Sequence, residues 1–134
     1  MSEQTTQEKT LTAADLAATF DAFNRHDVDA VMTHFAPDCV FYTVGGPEAY
    51  GSKVEGADAI ARAFAAVWQA MPDAHWEQHG HFVCGDRAVS EWTFTGTAAD
   101  GSRTEARGAD IFTLKGGRIV VKQALRKQRP VLKP

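Results

Sequence analysis

The stretch "RGADIFTLKGGRIVVKQALR" (residues 107–126) decides how this chain folds. Two runs rich in β-branched and apolar residues flank Gly116 and Gly117. Glycine tolerates the positive φ of a tight hairpin, so the runs read as antiparallel neighbours. The same grammar extends upstream. "HWEQHGHFVC" (75–84), "RAVSEWTFTGT" (87–97), "SRTEARGADIFTLK" (102–115) and "RIVVKQALR" (118–126) are separated by "GD", "AADG" and "GG". This is a four-strand meander.

Helices come before it. Thr12 can cap one, with Asp15 in its acidic first turn and Leu16, Phe20 and Phe23 on one stripe. After "NRHD", a short second helix carries Val28, Val31, Met32 and Phe35, and Pro37 and Asp38 stop it. "CVFYTV" (39–44) reads as a strand and the glycine-rich "GGPEAYGSKVEG" (45–56) as a loop. A third helix runs from about Ala57 to Met71 on the stripe Ile60, Phe64, Val67 and Trp68. Helices first and strands after predict an α+β fold. The expected shape is a cone-like roll: three N-terminal helices packed on a strongly curved, mostly antiparallel sheet. Such a roll encloses a hollow suited to a small molecule.

Composition narrows the function. The chain has 134 residues, 44% hydrophobic and 23% charged, with a net charge of -3. That suits one domain at residues 11–134 behind a polar tail, "MSEQTTQEKT" (1–10), read as flexible. There is no basic stripe for nucleic acid and no apolar run of membrane-spanning length. With no signal-peptide pattern, the expected location is cytoplasmic. Cys39 and Cys84 lie in apolar strand-like runs and read as buried free thiols.

Strand alternation sorts the side chains. Ala106, Gly108, Asp110, Phe112 and Leu114 share one face, opposite Arg103, Glu105 and Arg107. The first set faces inward, so Asp110 is a lone carboxylate on an apolar face. Burial favours the neutral acid unless a cation or hydrogen-bond donors answer it. Asp110 is therefore a candidate to exchange a proton with a ligand, or an acid held by a structural partner such as Lys122. On the neighbouring strand Trp92 and Phe94 point inward. On 75–84, alternation puts Trp76, Phe82 and Cys84 inside and His75, Glu77, His79 and His81 outside. Imidazoles two apart on a strand can ligate zinc, but nothing completes the set, and the expected reading is no metal.

"FNRHDVDAVMTHFAPDCVF" (23–41), "GADAIARAF" (56–64) and "ADIFTLKGGRIVVKQALRKQ" (109–128) resemble the nuclear transport factor 2-like superfamily, which includes SnoaL-like cyclases and ketosteroid isomerases. The resemblance spans residues 11–129 and implies the cone fold, a homodimer and a cofactor-independent pocket. Ketosteroid isomerases use an Asp base, a Tyr and a protonated Asp. The last of these matches Asp110. The Tyr position falls at Thr19 and the base position at Thr43, with Tyr42 beside it, so two of the three groups are replaced. The triad of limonene epoxide hydrolases is likewise absent, with Trp92, Phe94 and Ala124 at the corresponding places. In SnoaL-like cyclases an acid-base Asp sits late in the sheet, and Asp110 can supply it.

The resemblance also places Lys122 and Arg126 where isomerases line the pocket with apolar side chains. Simple alternation from Ile119, Val121 and Leu125 turns them outward. A bulge, or a second covered face, reconciles the two readings.

These readings converge on a small-molecule-pocket protein, with acid/base chemistry of the isomerase, cyclase or lyase type on a carbonyl- or carboxylate-bearing compound. Asp110 is the expected catalytic residue. Thr19, Tyr42, Thr43, Phe64, Trp68, Trp92, Phe94, Lys122 and Arg126 are the expected substrate-binding residues, and no cofactor is implied. The alternative is a non-catalytic ligand-binding or dimerisation module, with Glu91, Thr93 and Thr95 on the face that meets a second copy. Neither a nucleic acid nor a membrane is an expected partner.

Overall fold

The computed structural model describes residues 10–134, so all of the expected tail except Thr10 lies outside the described residues. Three helices, α1 (Ala13–Arg25), α2 (Val28–Met32) and α3 (Ala57–Ala70), pack on six strands. The strands are β1 (Phe35–Tyr42), β2 (Lys53–Glu55), β3 (His75–Cys84), β4 (Arg87–Thr97), β5 (Arg103–Lys115) and β6 (Arg118–Arg126). The sheet order is β2-β1-β6-β5-β4-β3. Every pairing is antiparallel except β1 with β6. The fold is thus the predicted α+β roll.

Local chemistry sets the helix ends. Thr12 and Asp15 form a reciprocal capping box at the start of α1. His26 ends α1 in a left-handed conformation, with φ 60°, and its N–H bonds back to the Ala22 and Phe23 carbonyls. That turn lets Asp27 cap α2 immediately afterwards. Two boundaries differ from the sequence reading. Phe35 belongs to β1 rather than to the second helix, and the glycine-rich segment contains β2, which edges the sheet beside β1. Phe35 matches both a helical and a strand period, and pairing with Ile119 on β6 decides for the strand.

Two bulges re-aim the side chains that matter. On β6, Val121 pairs with Thr113 and Ile119 with Leu114, which leaves Val120 as an extra residue. Alternation restarts after it. Ile119, Lys122 and Ala124 are all buried on the inner face, while Leu125 is exposed. On β3, Gln78 pairs with Trp92 and Gly80 with Glu91, leaving His79 unpaired. This corrects the predicted faces of β3. His81 and Val83 turn inward, and Phe82 (59% exposed) and Cys84 turn out. Cys84 is therefore not a buried thiol, whereas Cys39 is. Strands β4 and β5 pair without interruption over eleven positions, and their alternation holds as read.

The core lies between the inner face and the helices. Leu16, Phe20 and Phe23 of α1 and Ile60, Phe64 and Trp68 of α3 cover it. No helix among the described residues is long and apolar enough to cross a membrane.

Candidate functional site

The helices do not fill the roll. A cavity of about 310 Å³ remains between α1, α3 and the inner sheet face. Its wall is largely apolar and rich in aromatic rings, with Phe20, Phe23, Phe41, Phe64, Trp92 and Phe94 among its residues. Asp110 and Lys122 are its buried charged groups.

They form one unit. The Lys122 ammonium lies 2.7 Å from Asp110 Oδ2, and the two side chains are 7% and 0% exposed. The Trp92 indole N–H donates to the same oxygen at 3.1 Å. Asp110 Oδ1 is buried and has no hydrogen-bond partner. A buried acceptor left unsatisfied costs about 1–3 kcal/mol, so this oxygen is a place for an incoming donor. Lys122 Nζ is also ringed by Phe20, Phe23, Phe41, Phe64 and Phe112, with centroids 5.3–5.9 Å away. Aromatic faces attract a desolvated cation, so the shell supports the ammonium form that Asp110 also favours.

Gly108 makes room for this arrangement. It pairs with Trp92 across β4 and β5, and a Cβ there would stand 2.6 Å from Trp92 Cη2. The same Cβ would meet the backbone carbonyl of Leu125 on β6, so a larger residue would disturb the strand pairing as well as crowd the indole.

Arg126 occupies the mouth. Its guanidinium sits 5.4 Å from the Phe94 ring centroid. Desolvation lowers its pKa from the ordinary arginine value. No carboxylate among the described residues pairs with it. Thr43, Val44 and Gly45 form the adjoining rim. The Thr43 hydroxyl donates to the Gly45 carbonyl at 2.7 Å and accepts from the Ser52 N–H at 3.0 Å, so it ties down the rim loop.

Of the residues expected at the site, Asp110, Thr43, Phe64, Trp92, Phe94, Lys122 and Arg126 line the cavity, and Thr19, Tyr42 and Trp68 do not. The Thr19 hydroxyl donates to the Asp15 carbonyl within its own helix. Tyr42 alternates with Phe41 onto the opposite face and packs edge-on to Tyr50. Trp68 stacks on His26, its ring centroid 5.1 Å away. Sequence reasoning missed Phe20, Phe23 and Trp76 as wall residues, because a core stripe and a cavity wall have the same periodicity. Among the described residues, no group of three or more His, Cys, Asp or Glu is arranged to hold a metal ion. The β3 histidines are divided between two faces.

His81 is the other unexpected feature. It is half-buried, and burial lowers its pKa from the ordinary 6.5, partly offset by the Asp21 charge.

A helix-capped roll with an aromatic hollow and an acid on its inner wall defines a class of small α+β cavity proteins. Within that class, this chain belongs to the SnoaL-like domain family, whose model matches residues 16–122. Solved structures agree on the fold. Bal32a, from a soil-derived mobile gene cassette, superposes with a TM-score of 0.77 at 17% identity, covering 87% of this chain and 88% of its own. A candidate polyketide cyclase from Sinorhizobium meliloti gives 0.68 at 26% identity, covering 84% and 94%. TerC, crystallised with polyporic acid, gives 0.71 at 18% identity, covering 85% and 89%. Among curated proteins there is no match.

Lys122→Met should destabilise the fold by about 3–5 kcal/mol in urea unfolding, because it leaves a buried carboxylate without its cation. Asp110→Asn/Lys122→Met should regain most of that loss. A single-variant loss below about 1 kcal/mol would contradict the pairing.

The His81 shift carries its own sign. A base whose folded pKa lies below its unfolded value gives stability that is complete above the unfolded value of 6.5 and is lost as pH falls from there towards the folded value. Thermal midpoints should therefore drop between about pH 7.5 and pH 5.5. His81→Gln should flatten that slope, and an unchanged slope would sink the assignment.

Proposed function

We propose that this protein binds a flat, largely apolar carbonyl compound in its cavity and catalyses proton transfer next to the carbonyl. The observation that carries the reading is the buried Asp110–Lys122 pair at an aromatic wall, with Asp110 Oδ1 unpartnered. Enolisation needs a base near the α-proton and a positive or donating group near the oxygen. Asp110 Oδ1 would take the proton. Lys122, whose ammonium has three N–H donors, would spare one for the carbonyl oxygen as negative charge develops there. The Trp92 N–H would keep Asp110 oriented while the Lys122 contact loosens. The aromatic wall would exclude water, which strengthens each of these interactions.

Arg126 adds a preference for an anionic substituent at the outer end of the ligand, since a guanidinium clamps carboxylates through two parallel bonds. The likeness to a candidate polyketide cyclase and to a structure crystallised with polyporic acid supports a small organic ligand. Neither assigns the reaction, because one fold hosts many chemistries. The expected location remains cytoplasmic and the expected assembly a homodimer.

The test does not need the natural substrate. β-Tetralone is flat, has one carbonyl and carries acidic α-protons. Incubated with the protein in D₂O, it should lose its α-proton NMR signals at least tenfold faster than in buffer. Asp110→Asn should abolish the gain. Binding without accelerated exchange would instead identify a non-catalytic binding module.

A further inference from the structure

A second hollow adjoins the cavity at its mouth. A groove of about 450 Å³ runs between the rim loop at residues 44–51 and the stretch 126–131, which leaves the end of β6. It shares Val44, Gly45 and Arg126 with the cavity, so the two spaces meet at Arg126. Both walls are tied in place. On one side, Glu48 and Gly51 exchange backbone hydrogen bonds at 3.1 and 2.9 Å, and the Thr43 hydroxyl holds Gly45 and Ser52. On the other, the Lys127 N–H donates to the Arg107 carbonyl at 2.8 Å. Arg103 and Leu132 then exchange backbone bonds at 2.8 and 2.7 Å, so this stretch runs on beside β5. A groove built in advance spends little ordering entropy on a guest.

Its charges are unbalanced. Arg126, Lys127 and Arg129, from "RKQR" (126–129), line it together with Glu48 and Glu105. Three cations against two carboxylates leave one excess positive charge, in a chain whose net charge is -3. Among the described residues, none of the three cations is in a salt bridge. Arg129 Nη1 donates instead to the Glu105 backbone carbonyl at 3.1 Å. That bond orients the guanidinium and leaves the rest of its five N–H donors for a guest. Arg126 is partly desolvated at the junction, and an anion passing there would offset that cost.

We infer that the ligand carries an anionic tail, a carboxylate or phosphate on a short chain, which leaves the cavity past Arg126 and lies in this groove against Lys127 and Arg129. The inference rests on the cavity holding an apolar ring, and it adds a recognition site outside the wall assigned to proton transfer. A guanidinium gives a carboxylate or phosphate two parallel bonds, and the Lys127 ammonium supplies a point charge to a remaining oxygen. An excess of one charge fits a single anionic terminus, since Glu48 and Glu105 repel a longer run of negative groups. Binding energy gained at the tail is then available to position the ring against Asp110 and Lys122.

Calorimetric binding separates the groove from the cavity. The probes are 6-(2-naphthyl)hexanoate, its methyl ester, 6-(2-naphthyl)hexyl phosphate and 2-naphthoate, whose carboxylate sits on the ring itself. At low salt the hexanoate should bind the wild type at least about fivefold more tightly than the ester. Lys127→Glu/Arg129→Glu reverses two exposed charges outside the cavity. It should cut the hexanoate-to-ester ratio at least about threefold and leave 2-naphthoate within about twofold of its wild-type affinity. Lys127→Gln/Arg129→Gln takes its place if that variant does not fold. A smaller ratio in the wild type, a ratio cut by less in the variant, or an equal loss for 2-naphthoate would overturn the groove. Whichever of the hexanoate and the phosphate binds more tightly identifies the anion it takes. The readout does not depend on β-tetralone exchange. Loss of exchange with the ratio intact would remove the proton-transfer reading alone, and exchange without the ratio would remove the groove alone.

Discussion

A carboxylate and an ammonium 2.7 Å apart, with almost no solvent on either, set the terms for the rest of the molecule. Removing two charges from water costs several kcal/mol each, and their mutual attraction repays this only with good geometry and further partners. Both are present: Trp92 donates to the shared oxygen, and aromatic rings surround the cation. A well-packed apolar pair of similar volume is often at least as stable as such a bridge. Stability alone therefore does not account for the charges. They stand at the wall of a hollow, where a polar ligand can use them.

The surrounding fold delivers the two partners to that place. An uninterrupted ladder between β4 and β5 carries Asp110 inward beside Ser90 and Trp92. One extra residue, Val120, turns Lys122 to meet it from β6. Gly108 leaves the space that the indole needs. These devices sit on rigid strands, whereas the rim at Thr43–Gly45 lies on a loop pinned by side-chain bonds. The fold alone would serve many chemistries, and it is the side chains on the wall that choose among them.

Much of this was legible from residues. Turn glycines, helical stripes and the Thr12 cap gave the α+β roll, and period-two alternation put Asp110, Trp92 and Phe94 inside. Alternation failed wherever a strand gains a residue, because a bulge leaves no mark that a simple period can detect. That is why Lys122 and Arg126 read two ways, and why His81 and Phe82 were placed on each other's faces. The hydrogen bond between Ser90 and His81 was invisible for the same reason. It exists only once His79 is unpaired and His81 turns towards Ser90. The division between wall and core was also out of reach, since Phe23 and Trp68 follow the same helical rules and only packing separates them.

The central claim is that the charged pair, and not merely the apolar hollow, recognises the ligand. The direct measurement is calorimetric binding of β-tetralone to the wild type and to Asp110→Leu/Lys122→Met, which keeps the volume and removes both charges. The account predicts a folded variant whose affinity falls at least tenfold. A folded variant that binds as tightly as the wild type would contradict it.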